Sequence, residues 1–374
     1  MTSQDRPLRY GWTTGACATA AAKAAYTALL TGEFPDPVEV TLPRGQRPAF
    51  ALATTTMTED SATAGVVKDA GDDPDVTHGA LILATVRREK PGNGVSFRAG
   101  EGVGTVTLPG LPVPPGAPAI NPVPRKMIAA AIDEVAAARG DAGDVEVEIA
   151  IPGGEALAAK TMNGRLGIVG GLSILGTTGI VVPYSCSSWI QSIRSGIDVA
   201  RAARLVHVAG SAGATSEAAV QKMYALPEIA LIDMGDFVGG MLKYVRTHPV
   251  PRVTVAGGVG KMTKLAQGLL DLHSRRGAVD PAVLARLAEG AGGSPALVER
   301  ILAANTAAEA FSQAQAEGVA LGDAVAQAAW ETAAAVVAGK QVDVEIALFD
   351  RDGRLVGHAP FAAAHDRPPR KRRR

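Results

Sequence analysis

The chain has 374 residues, enough for two domains that each bury a core. Formal net charge is zero, but the tail RPPRKRRR (367 to 374) holds six basic residues. The remainder carries 31 basic against 37 acidic residues, about −6, which excludes the clustered positive face of a nucleic-acid binder. Apolar residues make up 47% of the chain and aromatics 4%, and Gly, Pro or charge interrupts every apolar run before it reaches membrane-spanning length. The N-terminus, MTSQDRPLRYGWTTG, lacks the basic-then-apolar pattern of a secretory signal, so the expected compartment is the cytoplasm. Cys17 and Cys186 form no CxxC and read as packed residues, and the tail reads as a disordered end.

Along the chain, TTGACATAAAKAAYTALL (13 to 30) predicts a buried Ala-rich helix capped by Thr13 or Thr14. Strands are predicted at 38 to 43, 49 to 57, 79 to 88, 95 to 100 and 145 to 152, with a Pro-entered, Gly-closed helix at 121 to 140. This is an α+β pattern. From about residue 196 the rhythm changes to β-branched runs that end in glycine, at 203 to 210, 228 to 235 and 252 to 258. Each is followed by a helical segment, at 214 to 225, 236 to 248 and 261 to 276, which predicts an α/β domain with a small parallel sheet. Helices entered at Asp280-Pro281 and Ser294-Pro295, an Ala-rich helix at 320 to 338 and a last strand at 342 to 350 complete the reading. The domains are therefore set at 1–195 and 196–366, with a basic tail at 367–374.

In an open parallel sheet, ligands bind beyond the carboxyl ends of the strands. Three glycine turns stand there: Gly210 to Gly213, Asp233 to Asp236 with Gly235, and Gly257, Gly258 and Gly260. Together they favour a nucleoside-type ligand, with Asp233 or Asp236 placed to accept from a ribose, though a helix-capping role fits either Asp. AGGVGKMTK is no P-loop, because Val255 replaces the first cradle glycine and Met262 the magnesium-binding hydroxyl. The six histidines show neither HxH nor HExxH spacing, and no GxSxG elbow occurs. The acidic run KDAGDDPDVTHG (68 to 79) departs from EF-hand spacing and reads as a turn, so no metal site is expected.

YGWTTGACATAAAKAA (10 to 25), KDAGDDPDVTHGA (68 to 80), GEGVGTVTLPGL (100 to 111), PAINPVPRKMI (118 to 128), IPGGEALAAKTMNGRLGIVGGLSILGTTGIV (151 to 181) and ALPEIALIDMGDFVG (225 to 239) together resemble the cobalt-precorrin-5B C(1)-methyltransferase family of the CbiD type. The resemblance implies S-adenosylmethionine-dependent methylation of carbon 1 of a corrinoid precursor in anaerobic cobalamin biosynthesis, with cobalt-precorrin-5B as partner and no membrane or nucleic-acid partner. It also implies an N-terminal α+β domain related by permutation to ribosomal protein S5 domain 2, followed by an α/β domain with a four-stranded parallel sheet. Homo-oligomerisation is left open.

A precorrin is a broad, flat ring fringed by carboxylates. Thr13, Thr14, Gly15, Arg125, Lys126, Arg165, Gly170, Gly171, Thr177 and Thr178 offer N–H, hydroxyl and cationic groups for such a ligand. On this reading the second domain holds S-adenosylmethionine at Gly210, Gly213, Asp233, Gly235, Asp236, Gly257, Gly258 and Gly260. No protein base is demanded, and no catalytic residue is assigned. A nucleotide-dependent enzyme using Lys261 and a non-catalytic corrinoid carrier are the competing classes.

Overall fold

A computed structural model describes residues 7–364, so the basic tail lies outside the described residues. The chain divides into two units between Cys186 and Ser187. The cut set at 195/196 falls within the helix that spans this division.

The first unit begins with β1 (Gly11–Trp12) and α1 (Thr14–Thr31), whose N-cap Thr13 accepts a hydrogen bond from the Ala16 N–H and whose C-cap Gly32 is left-handed. Short β2 (Val38–Glu39) and β3 (Ala49–Phe50) pair with each other. Strands β4 (Thr54–Met57), β5 (Ser61–Val67), β6 (Leu81–Arg88), β7 (Val95–Ala99) and the later β9 (Val145–Ala150) form one sheet in the order β4-β5-β6-β9-β7. It is antiparallel except for the β7–β9 pair. The single strand expected at 49 to 57 is thus two strands in different sheets. The expected set also omitted β5, where Ser61, Ala62, Ala64 and Gly65 carry little β-propensity.

Those small residues are what the core needs. α1 is buried from Thr14 through Ala22 and again at Ala24, Ala25, Tyr26 and Ala28, and it packs on β5 and β6, where Ala62, Ala64, Ile82 and Ala84 are wholly buried. A helix apolar on every face is a core helix. Beyond β8 (Thr105–Val106), α2 (Pro122–Arg139) packs on α1 and closes with left-handed Gly140. After α3 (Gly154–Ala158), β10 (Ile168–Val169) pairs with β8, and β11 (Ile180–Val181) pairs with β1.

The second unit is entered through α4 (Cys186–Ala202), a helix the sequence reading did not assign; it moves the start of the next strand from 203 to His207. Strands β12 (His207–Ser211), β13 (Leu231–Asp233), β14 (Arg252–Gly258), β15 (Asp343–Phe349) and β16 (Leu355–Ala363) form a sheet in the order β13-β12-β14-β15-β16. The first four are parallel and β16 is antiparallel to β15. β15 is therefore not the last strand. The Asp352-Gly353 turn, with Gly353 at φ +75°, is the hairpin signal the sequence reading passed over.

Helices α5 (Ala214–Tyr224), α6 (Val238–Thr247) and α7 (Val259–Ala266) follow the first three strands. The helix expected at 261 to 276 stops at Ala266, just before left-handed Gly268. Then come α8 (Pro281–Gly290), capped by Asp280, α9 (Pro295–Leu302), capped by Ser294, α10 (Ala307–Ala316) and α11 (Leu321–Val337). α10 was not expected, although Thr306 caps it by accepting from the Glu309 N–H, a T-x-x-E signature legible in the chain. Among the described residues, no helix is long and apolar enough to cross a membrane.

Candidate functional site

In the second unit β13 lies on one side of β12, while β14 and β15 lie on the other. The order reverses between β12 and β14, and the crevice beyond their carboxyl ends is where open α/β sheets bind ligands. A cavity of about 1500 Å³ opens there, lined by Ala212 to Ser216 after β12, Gly258 to Lys261 after β14 and Phe349 to Asp352 after β15. Leu284, Ile301 and Phe311 from α8, α9 and α10 supply an apolar wall. This volume exceeds the roughly 300–1,000 Å³ of ordinary small-ligand pockets.

The glycines around this edge separate by what a Cβ would meet. One built on Gly213 or Gly260 meets nothing within 4 Å, and one on Gly258 meets only the Phe349 carbonyl at 4.0 Å. Gly213 and Gly258 are also the N-caps of α5 and α7, and neither helix start receives a side-chain cap. Their first-turn N–H groups favour an anionic or polar ligand group. Gly210 and Gly257 do different work: a Cβ would fall 2.2 Å from the Met241 sulfur and 2.6 Å from the Met262 methyl, so these two admit core methionines.

Lys261 ties the turns together. Its Nζ donates to the Ala212 carbonyl at 2.5 Å and lies 3.2 Å from Asp236 Oδ1. Asp233, Gly235 and Asp236 do not line the cavity. The Asp233 carbonyl accepts from Trp189 Nε1 at 3.0 Å, and Gly235, at φ +52°, lies under the same indole. Ser211 ends β12 with its hydroxyl buried and without a hydrogen-bond partner among the described residues.

Below the cavity edge a polar network is buried within the sheet. Glu345, only 1% exposed, accepts from Tyr224 at 2.5 Å, Thr254 at 2.6 Å and His358 Nε2 at 2.8 Å. Since Thr254 donates to Glu345, it accepts from His207 Nε2 at 2.8 Å, which fixes that ring's tautomer. Burial lowers the His207 pKa, and burial followed by the Glu345 hydrogen bond raises that of Tyr224.

In the first unit the structure brings three of the expected groups together. Gly15 at the start of α1 donates its N–H to the Leu175 carbonyl, and Thr13 donates its N–H to the Gly179 carbonyl. A Cβ on Gly15 would fall 2.8 Å from Pro124 in the first turn of α2. Thr13, Thr14 and Gly15 are buried in this junction, Gly171 is buried against Gly102 and Val103, and Thr178 closes a local turn through the Ile180 N–H and carbonyl. Arg125 donates to the Ile120 and Pro118 carbonyls and stacks over Phe97 at 4.9 Å; burial lowers its pKa. Lys126, Gly170 and Thr177 are exposed, and Arg165 is half-buried.

The acidic run forms a clamp. Buried Lys68 donates to Asp75 and Thr77, each at 2.5 Å. Burial opposes ionisation of Asp75, but Lys68 and Thr77 hold its carboxyl below the usual range. Asp69 binds Arg9, Asp72 accepts the Arg9 N–H, and Asp73 accepts the Tyr184 N–H at 2.8 Å. The cavity wall from α8 to α10 and the β15–β16 turn were missed as site elements, because apolar lining on capped helices reads as ordinary core.

The CbiD family model matches residues 1–183, and the model of the CbiD C-terminal domain matches residues 271–360. A Bradyrhizobium protein named cobalt-precorrin-5B C(1)-methyltransferase is 64% identical over 369 residues, covering 99% of this chain and 98% of that protein. Its namesake from Agrobacterium fabrum is 61% identical over 369 residues, covering 99% and 97%. Among solved structures, the cobalamin biosynthesis protein (cbiD) from Archaeoglobus fulgidus is 24% identical with a TM-score of 0.40, covering 85% of this chain and 87% of that one.

Proposed function

This chain belongs to the CbiD family, and on that premise we propose that it methylates carbon 1 of cobalt-precorrin-5B, yielding cobalt-precorrin-6A in cobalamin biosynthesis. The observation that carries the reading is the 64% identity to the Bradyrhizobium enzyme across 99% of the chain, both units included. We read the first unit as a permuted relative of ribosomal protein S5 domain 2 that presents the corrinoid, and the reaction as cytoplasmic.

S-adenosylmethionine is the proposed methyl donor, and the switch-point cavity of the second unit suits it. The open glycines Gly213, Gly258 and Gly260 and two helix starts without side-chain caps form a cradle of polar backbone beside an apolar wall. When bound, this donor supplies an electrophilic methyl group on a sulfonium. Gly213 and Gly258 would offer N–H groups to its polar ends, Leu284, Ile301 and Phe311 would exclude water, and Lys261 would hold the β12 and β14 turns at fixed spacing. The electron-rich ring is the nucleophile, so the protein's task is orientation, which can supply roughly 7–11 kcal/mol of a barrier. Thr177, Lys126 and Arg165 remain the proposed corrinoid contacts of the first unit.

The test is to incubate purified protein with cobalt-precorrin-5B and S-adenosylmethionine and to analyse the product by mass spectrometry and NMR. A single added methyl at carbon 1 is the expected result. An unchanged corrinoid that nevertheless binds would replace this reading with a carrier.

A further inference from the structure

Glu345 on β15 is 1% exposed, yet among the described residues no lysine or arginine pairs with it. Its three partners, Tyr224 of α5, Thr254 of β14 and His358 of β16, all donate to it, which suits a carboxylate and leaves no acceptor for a carboxyl hydrogen. The other charged or titratable groups of the network stay off the carboxylate. Arg252 lies over the Phe361 ring at 5.5 Å, and His207 meets Thr254. Burying a carboxylate without a cation is unfavourable, and a cationic ligand nearby would relieve that penalty.

The network reaches the switch-point cavity through His358. This residue lines the cavity and its side chain is 30% exposed; Nε2 is bound to Glu345, and Nδ1 has no hydrogen-bond partner among the described residues. The charged groups that share the lining are otherwise engaged or face solvent. Lys261 lies beside Asp236, Asp323 accepts the His358 N–H at 2.9 Å, and Asp350 accepts the Asp352 and Arg354 N–H groups. Arg351 and Asp352 are exposed. Glu345, sealed from solvent, cannot bond a ligand and acts only through its field, which water screens little in a buried setting. A sulfonium has no hydrogen to donate, so a field is what recognises it, whereas an ammonium needs acceptors in contact.

We propose that Glu345 is a specificity residue for the charge of the methyl donor: its buried carboxylate, reaching the cavity through His358, favours the sulfonium over the neutral thioether left after transfer. This rests on the functional reading above and deepens it. As the S–CH3 bond breaks, its electron pair stays on sulfur and the positive charge at that atom is lost, so the field that held the donor no longer holds the spent product. Because the sulfonium charge is already dispersed in the transition state, Glu345 stabilises the ground state more and acts on binding and release rather than on the chemical step.

The experiment is calorimetric titration of S-adenosylmethionine and of S-adenosylhomocysteine, which lacks the sulfonium charge and keeps the ammonium, into wild type and Glu345→Gln. The introduced amide can keep every hydrogen bond: its oxygen accepts from Tyr224 and His358, and its NH2 donates to Thr254, whose hydroxyl then donates to His207. NMR of the His207 ring nitrogens should show that change of tautomer and so confirm an intact network. Wild type should bind S-adenosylmethionine about tenfold more tightly than the thioether. Glu345→Gln should remove that preference by weakening S-adenosylmethionine alone, raising its KM without lowering kcat. No preference in wild type, equal weakening of both ligands, or a preference unchanged by the substitution overturns the proposal. Should the variant not fold, wild type in added salt decides: a preference set by a buried charge persists, and one set by exposed Asp323 or Asp352 disappears, which also overturns it. Methyl transfer by wild type is scored separately. Transfer with an unchanged preference removes only the role of Glu345, and a preference that follows Glu345 without transfer keeps that role and removes the methyltransferase reading.

Discussion

Glycine is dense in two regions of this protein and serves opposite ends in them. Between residues 164 and 181 of the first unit, much of it is consumed by close approach of the backbone to neighbouring backbone and side chains. A Cβ on Gly171 would fall 2.2 Å from the Gly102 carbonyl oxygen, one on Gly167 would fall 2.5 Å from the Leu108 side chain, and one on Gly176 would fall 2.5 Å from the Thr13 side chain. At the switch point of the second unit, Gly213, Gly258 and Gly260 face open space. Glycine content alone therefore marks two different things, and only the surroundings of the absent side chain separate a packing glycine from one that leaves room for a ligand.

The contrast breaks most visibly at Gly171. Gly171→Ala should cost more than about 3 kcal/mol, because backbone confronts the new methyl and no flexible side chain can yield. Urea denaturation would show it, and a variant as stable as wild type would mean the junction is looser than described. Next comes Gly258→Val. Its φ of −73° is ordinary and the site is open, so the fold should survive, while S-adenosylmethionine affinity measured by calorimetry should fall about tenfold. Unchanged affinity would remove the cofactor from this cradle. Gly170→Ala should cost only about 1–2 kcal/mol, the strain of a left-handed alanine, since its Cβ meets nothing and φ is +84°.

The fold was legible wherever composition and period agreed. α1 was readable as a buried helix from its alanines and Thr13 cap, and α2 from its Pro entry and Gly140 exit. β12, β13 and β14 were readable from β-branched runs closed by glycine, though the ends of β12 and β13 moved by several residues. β5 was hidden because its small residues serve contact with α1, a tertiary demand that overrides strand propensity. Of the site, the sequence located the strand-end turns. It could not tell that Gly210 and Gly257 admit methionines, or that Asp236 meets Lys261, since those contacts join residues distant along the chain.

The smallest expected effect concerns an ion rather than a backbone. Tyr26, inside the tightly packed α1, donates its hydroxyl to Asp141 at 2.5 Å. That bond, with the Gly143 N–H and Arg88, depresses the Asp141 pKa to about 2, against an unfolded value near 3.9. A carboxylate whose folded pKa is depressed stabilises the fold above its unfolded pKa, and the benefit fades as pH falls through the folded one. The stability gap between wild type and Tyr26→Phe, measured by urea denaturation, should be constant from pH 7 to about pH 5 and shrink from about pH 4 toward pH 2. A gap that stayed level across that window would show the hydroxyl acting as neutral packing polarity, with Asp141 held by Gly143 and Arg88 alone.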